Sequence, residues 1–242
     1  MTSGSVPLHI IIPCYNPPNG WVARLIEKGV DLKNALAPTA VRFVIVEDGS
    51  FVPIDETTKR NVSHALDDVE WLAHKVNRGK GAALRTGVAA CSVGPCLFTD
   101  VDMPYTLKSM LTAGEALHGG ANVVLGQRRT DYYDHVPWAR RVISKTFRSV
   151  LRNMMRFPIS DTQCGLKGFD EHGRAVFLST TIDRFLFDME FVMLVTRHKD
   201  LHIATIDARL DEDVKFSRMN YRILLGESFN FLKVMLRGMR RD

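Results

Sequence analysis

Apolar residues in the first half of the chain fall into short unbroken runs separated by longer stretches of mixed polarity. Leu8-His9-Ile10-Ile11-Ile12 and Val41-Arg42-Phe43-Val44-Ile45-Val46 are nearly continuous in apolar side chains. Runs without in–out alternation predict parallel strands covered on both faces. Between them, Trp21–Leu36 reads as a helix. The alternation continues with a helix over 57–66, a strand over Val69–His74 and a helix over 81–90. A strand ending at 97–99, a helix over 106–118 and a strand over 122–125 complete it. Strands alternating with helices of this length predict an α/β fold, a single Rossmann-like, mostly parallel sheet flanked by helices.

The second half changes character. A long helix is expected over 138–156, a polar glycine-containing loop over 161–169 and a helix over 185–198. A late strand over 202–206 and a terminal helix over 220–236 follow. With no internal repeat, low-complexity tract or linker, residues 1–242 are expected to form one domain. In the long helix, Arg141, Lys145, Arg148, Arg152 and Arg156 share one stripe beside apolar faces. Such a stripe suits either an anionic lipid surface or plain solvent. The terminal helix pairs an apolar face with Lys233, Arg237, Arg240 and Arg241, and the same two readings apply.

Composition narrows the partners. The chain has 242 residues, 45% of them hydrophobic, enough to bury a full core. A net charge of +5 fits an anionic partner: a nucleotide diphosphate, a phospholipid surface or a nucleic acid. Nucleic acid is disfavoured, because the basic residues lack interleaved aromatics and no such motif appears. Cys14, Cys91, Cys96 and Cys164 are scattered without zinc spacing, which points to core thiols in a reducing, cytosolic compartment. No signal peptide precedes Leu8 and no apolar window approaches the roughly 18 residues of a membrane span. Work on a membrane would therefore be peripheral, on its cytoplasmic face, or through an anchored partner.

In open α/β sheets, ligands sit beyond the carboxyl ends of the strands. Three polar clusters fall there: Asn16, Glu47-Asp48-Gly49-Ser50, and Asp100-Val101-Asp102. No GxGxxG follows the first strand and no P-loop is present. Asp100 and Asp102, one residue apart, can hold a hard cation, Mg²⁺ or Mn²⁺, together with a diphosphate. Glu47 and Asp48 suit either hydrogen bonds to a nucleoside or a helix-capping turn. Asn77-Arg78-Gly79-Lys80-Gly81 opens the helix over 81–90, and is either an anion seat or a solvated basic turn.

Taken in order, several segments resemble the signatures of family 2 glycosyltransferases of the GT-A fold. They are Ile11-Ile12-Pro13-Cys14-Tyr15-Asn16, Val46-Glu47-Asp48-Gly49-Ser50, Asn77-Arg78-Gly79-Lys80-Gly81-Ala82 and Thr99-Asp100-Val101-Asp102. Asp161-Thr162-Gln163-Cys164-Gly165-Leu166-Lys167-Gly168-Phe169 and Arg184-Phe185-Leu186-Phe187-Asp188-Met189-Glu190-Phe191 resemble the polyprenyl- or dolichyl-phosphate glucosyl- and mannosyltransferase branch. The resemblance implies a nucleotide-sugar-binding half over about 8–127 and an acceptor-binding half, with C-terminal helices, over about 128–242. It implies that Pro13, Tyr15, Glu47, Asp48 and Lys80 hold the nucleotide, and that Asp100 and Asp102 bind metal and diphosphate. Relatives often carry Gln where this chain has Pro104, so water would complete the metal shell. Arg128, in Gly126-Gln127-Arg128, and Arg140 with Ser144 resemble acceptor-phosphate residues, while Arg209 and Arg218 resemble a pair closing over the donor diphosphate.

The implied reaction is an inverting transfer of glucose or mannose from a UDP- or GDP-sugar to a polyprenyl or dolichyl phosphate. A phosphate acceptor is already ionised and needs no strong base. A hydroxyl on a soluble or glycan acceptor would need one, with Asp161 or Asp188 as candidates. A non-catalytic sugar-nucleotide-binding protein is the alternative of another class.

Overall fold

The computed structural model describes residues 6–91, 93–128, 164–184 and 186–212. Among these residues seven strands form one sheet: β1 (Leu8–Cys14), β2 (Val41–Asp48), β3 (Val69–His74), β4 (Cys96–Phe98), β5 (Val123–Gln127), β6 (Lys167–Phe169) and β7 (Ile203–Asp207). Among the described residues six helices accompany them: α1 (Trp21–Leu36), α2 (Glu56–Leu66), α3 (Lys80–Ala90), α4 (Leu107–His118), α5 (Glu171–Leu178) and α6 (Phe187–Val195). The strand order is β3-β2-β1-β4-β6-β5-β7. All neighbours are parallel except β6, which runs antiparallel between β4 and β5.

The unbroken apolar runs are explained by two cores, one on each face of the sheet. Ile11, Val44, Val46 and Phe98 turn toward α3, α5 and α6. Ile10, Ile12, Phe43, Ile45 and Leu97 turn toward α1, α2 and α4. Successive strand residues point to opposite faces, so a strand covered on both must be apolar at every position. Phe98, Phe169, Phe177, Phe187 and Phe191 form an aromatic cluster in the first core, with Phe169 and Phe177 stacked at 5.0 Å. All four cysteines are free and buried, as the scattered spacing predicts.

Three expectations are corrected. Residues 167–169, expected within a loop, are a central strand. Three residues carry no readable periodicity, and this strand contains a charge and a glycine. Gly168 lets the sheet close, since a Cβ there would lie 2.8 Å from Leu117 Cδ1. Second, α5 was not anticipated: it is short and contains Gly173, but Asp170 caps it by accepting from His172 N and Gly173 N. Third, the helix expected over 185–198 is limited to Phe187–Val195. The helices expected over 138–156 and 220–236 lie outside the described residues. Among the described residues, no helix is long and apolar enough to cross a membrane.

Candidate active site

β1, β2, β4, β5 and β7 all point the same way, so their carboxyl ends share one edge. That edge gathers Tyr15 and Asn16, Glu47 to Ser50, Asp100 to Asp102, Arg128 and the segment Ala208 to Asp211. Consecutive loops are bonded to one another. Asn16 N donates to Ser50 Oγ at 3.0 Å, and Phe51 N donates to Asn16 Oδ1 at 2.9 Å. Beside this junction lies a pocket of about 510 Å³ walled by Asn16, Trp21, Phe51, Ile54 and Thr58. Tyr15 stands next to it, its ring 5.9 Å from that of Phe51. Pro13 lies within β1, in register with Val46.

Asp48 is buried and organises the next loop. Its Oδ1 accepts from His74 Nδ1 at 2.7 Å and from Arg78 N at 2.9 Å. Its Oδ2 accepts from Asn77 Nδ2 at 2.9 Å and from Gly79 N at 2.8 Å. Gly49, at φ 64°, permits this closure, because a Cβ would sit 2.3 Å from Val76 C. Glu47 is also buried, and its Oε1 accepts from Ile54 N at 2.9 Å. Both carboxylates thus shape the loops flanking the site.

The 77–81 segment, expected to be either an anion seat or a solvated basic turn, has backbone donors that are already engaged. Gly81 N and Ala82 N already donate to Asp183 O, at 2.7 and 3.2 Å, and Gly79 N is taken by Asp48. A carbonyl and a carboxylate therefore satisfy donors that a phosphate would need. The positive charge offered here is the Lys80 ammonium. Its Nζ donates to Asp100 Oδ1 at 2.5 Å. Burial lowers the affinity of Lys80 for its proton, but the charges of Asp100 and Asp188 more than compensate and leave its pKa raised.

Asp100 and Asp102 lie on a tight turn in which Met103 N donates to Asp100 O at 2.9 Å and Met103 takes φ 44°. Burial, and next the charge of Asp100, raise the Asp102 carboxyl above its ordinary range. Two hard oxygen donors one residue apart fit a divalent cation, whose charge would offset the repulsion that Asp102 meets from Asp100. Gly165 walls the pair: a Cβ there would lie 2.8 Å from Asp100 Oδ2 and 3.1 Å from the Tyr105 hydroxyl. Among the described residues no group of three or more His, Cys, Asp or Glu surrounds a common point, so water and substrate oxygens would complete any shell.

Residues with no local sequence signal brace this turn. Arg24 of α1 donates through Nε to Asp102 O at 2.6 Å and through Nη2 to Asp211 Oδ2 at 2.8 Å. Asp211 N donates to Pro104 O at 2.9 Å, and Tyr105 bridges to Leu210. Arg209 is thereby fixed beside the turn, with its exposed guanidinium Nε 3.1 Å from Asp207 Oδ2. Arg128 follows β5, close enough for its charge to act on Tyr105.

Asp188 is buried in the first turn of α6 and accepts from Lys167 Nζ at 2.7 Å. Lys167, fully buried, also donates to Cys164 O. Glu190, equally buried, accepts from Thr181 N and Ile182 N, each at 2.8 Å. That holds the 180–184 loop against Gly79 and Gly81. Asp161, Arg140, Ser144 and Arg218 lie outside the described residues.

A mostly parallel sheet flanked by helices on both faces is the GT-A fold, and solved structures share that fold. Mannosyl-3-phosphoglycerate synthase from Rubrobacter xylanophilus superposes with a TM-score of 0.68 at 15% identity, over 97% of this chain and 74% of that one. Glucosyl-3-phosphoglycerate synthase from Mycobacterium tuberculosis, solved with Mg²⁺ and uridine diphosphate, gives 0.63 at 15% identity, over 96% and 79%. The chain belongs to glycosyl transferase family 2, whose model matches residues 9–179. A dolichyl-phosphate beta-glucosyltransferase of Dictyostelium discoideum is 26% identical over 211 residues, 80% of this chain. The chain spans 63% of the length of that relative.

Proposed function

We propose that this chain is an inverting, metal-dependent glycosyltransferase that moves a hexose from a nucleotide diphosphate sugar to a polyprenyl or dolichyl phosphate. The observation that carries the proposal is the cluster of Asp100, Asp102 and Lys80 at the sheet edge, in a chain similar to a dolichyl-phosphate beta-glucosyltransferase. That similarity favours glucose, and the uridine diphosphate of the structural neighbour favours UDP-glucose as the first donor to try.

In this reading Tyr15 and the pocket beside Phe51 receive the nucleoside. Glu47 and Asp48 act on it through the loops they hold. Asp100 and Asp102 bind Mg²⁺ or Mn²⁺, which supplies positive charge to the departing diphosphate. Lys80, Arg209 and Arg218 add charge to the same group. Arg128, Arg140 and Ser144 hold the acceptor phosphate, whose ionised oxygen attacks the anomeric carbon from the opposite face. The C–O bond to the diphosphate breaks and its electron pair leaves with the nucleotide. No general base is required, which agrees with the burial of Asp188 against Lys167. Asp161 would be the candidate base were the acceptor a hydroxyl. The protein would act peripherally on the cytoplasmic face of a membrane, through the basic residues of 141–156 and 233–241 or an anchored partner.

Incubating the protein with radiolabelled UDP-glucose or GDP-mannose, Mn²⁺ and polyprenyl phosphate tests this. Metal-dependent label in the organic phase is expected. Label confined to water-soluble glycan would mean a hydroxyl acceptor, and donor binding without any turnover would mean a binding protein.

A further inference from the structure

Asp100 has a defined neighbour at each oxygen. Lys80 Nζ lies 2.5 Å from Oδ1, and the backbone at Gly165 walls Oδ2. The backbone around Lys80 is pinned, with Gly79 N bonded to Asp48 and Gly81 N to Asp183 O. The mobile part of Lys80 is therefore its four-carbon side chain, which carries a compact charge that can be re-aimed. A second carboxylate, Asp188, lies within electrostatic reach of Lys80 but already accepts from Lys167. Asp100 is the carboxylate that Lys80 neutralises.

We infer that Lys80 is the resident counter-cation of the Asp100/Asp102 pair, and that it competes with a divalent metal for Asp100 until a nucleotide diphosphate draws it away. This rests on the reading of Asp100 and Asp102 as metal ligands. An ammonium and a divalent cation on one carboxylate repel each other strongly. A diphosphate reverses the balance, since its oxygens give Lys80 a new partner as they complete the metal shell. Metal affinity is thereby coupled to the presence of donor, and free metal alone is held weakly. The coupling is reciprocal: metal and diphosphate each raise the affinity for the other.

Titration of the full chain with Mn²⁺, following free Mn²⁺ by electron paramagnetic resonance, tests the inference. The wild type, Lys80→Met and Lys80→Arg are compared, first alone and then with UDP or GDP. Without nucleotide, Lys80→Met should bind Mn²⁺ about tenfold more tightly than wild type, and Lys80→Arg should resemble wild type. With nucleotide the order should reverse, Lys80→Met retaining Mn²⁺ less well. Circular dichroism verifies folding, and Lys80→Gln replaces Lys80→Met if the latter unfolds. Equal or weaker Mn²⁺ binding by the neutral variant without nucleotide, including no detectable binding by either protein, overturns the inference. Tight Mn²⁺–nucleotide binding by wild type in that same experiment would leave the metal-site reading standing. Its absence with both nucleotides would sink the reading itself.

Discussion

Lys167 Nζ donates to Asp188 Oδ1 at 2.7 Å, and the two side chains are almost wholly removed from water. This pair joins β6 to the start of α6, and so ties together two of the segments that resemble family signatures. Its depth sets its energetics. Removing one partner of a buried pair strands the other charge, at a cost of about 3–5 kcal/mol. Lys167→Met should lose that much in urea denaturation near neutral pH. Lys167→Met combined with Asp188→Leu should recover most of it.

The pH dependence of the single variant follows from Asp188. Burial raises its carboxyl, and Lys167 is the foremost group opposing that rise. Without Lys167 the folded-state pKa moves further above the unfolded one. A raised carboxyl contributes stability that is complete below the unfolded pKa and lost as pH climbs through the folded value. Lys167→Met should therefore lie nearest to wild type at about pH 4 and fall progressively behind toward about pH 8. A deficit that is constant over that range would contradict the assignment.

Asp48 makes a separate prediction. Asp48→Ala leaves Arg78 N and Gly79 N without their acceptor. Each unsatisfied buried donor costs roughly 1–3 kcal/mol, so a loss of about 2–4 kcal/mol is expected in chemical denaturation. Nucleotide affinity should fall in parallel, because the turn carrying Lys80 loosens.

Gly165→Ala tests the wall of the proposed metal site. Its Cβ would lie 2.8 Å from Asp100 Oδ2, so the carboxylate must move. Mn²⁺–nucleotide affinity should drop about tenfold or more while thermal stability changes little. Unchanged affinity would show that Oδ2 takes no part.

These residues also mark where sequence legibility ends. β1 and β2 are readable because burial on both faces demands an apolar residue at each position. Asp100 and Asp102 are readable because they lie one residue apart at a strand end. β6 is not, since Lys167 belongs in a core only with Asp188 beside it. Arg24 and Asp211 brace the Asp100–Asp102 turn from opposite ends of the described chain, and such long-range polar pairs leave no local pattern. Glu190 is similar: with Asp188 it is one of two acids in an otherwise apolar helix, and nothing nearby in sequence shows that it holds the loop closing the start of α3. The glycines of the 77–81 turn suggested an approaching phosphate, whereas Gly79 and Gly81 admit the backbone of Ile182 and Asp183. Close approach was legible and the identity of the neighbour was not.

Asp102→Asn should abolish metal-stimulated turnover without unfolding the protein, as judged by thermal melting alongside labelled-donor transfer. Persistence of wild-type turnover would remove Asp102 from the metal shell.

Where a divalent cation binds decides whether Asp100 and Asp102 are metal ligands. Anomalous diffraction from crystals grown with Mn²⁺ and uridine diphosphate measures this directly. One strong manganese peak is predicted, touching an Asp102 carboxylate oxygen and the diphosphate, with Lys80 swung from Asp100 onto phosphate. A nucleotide bound elsewhere, or manganese clear of both aspartates, would contradict it.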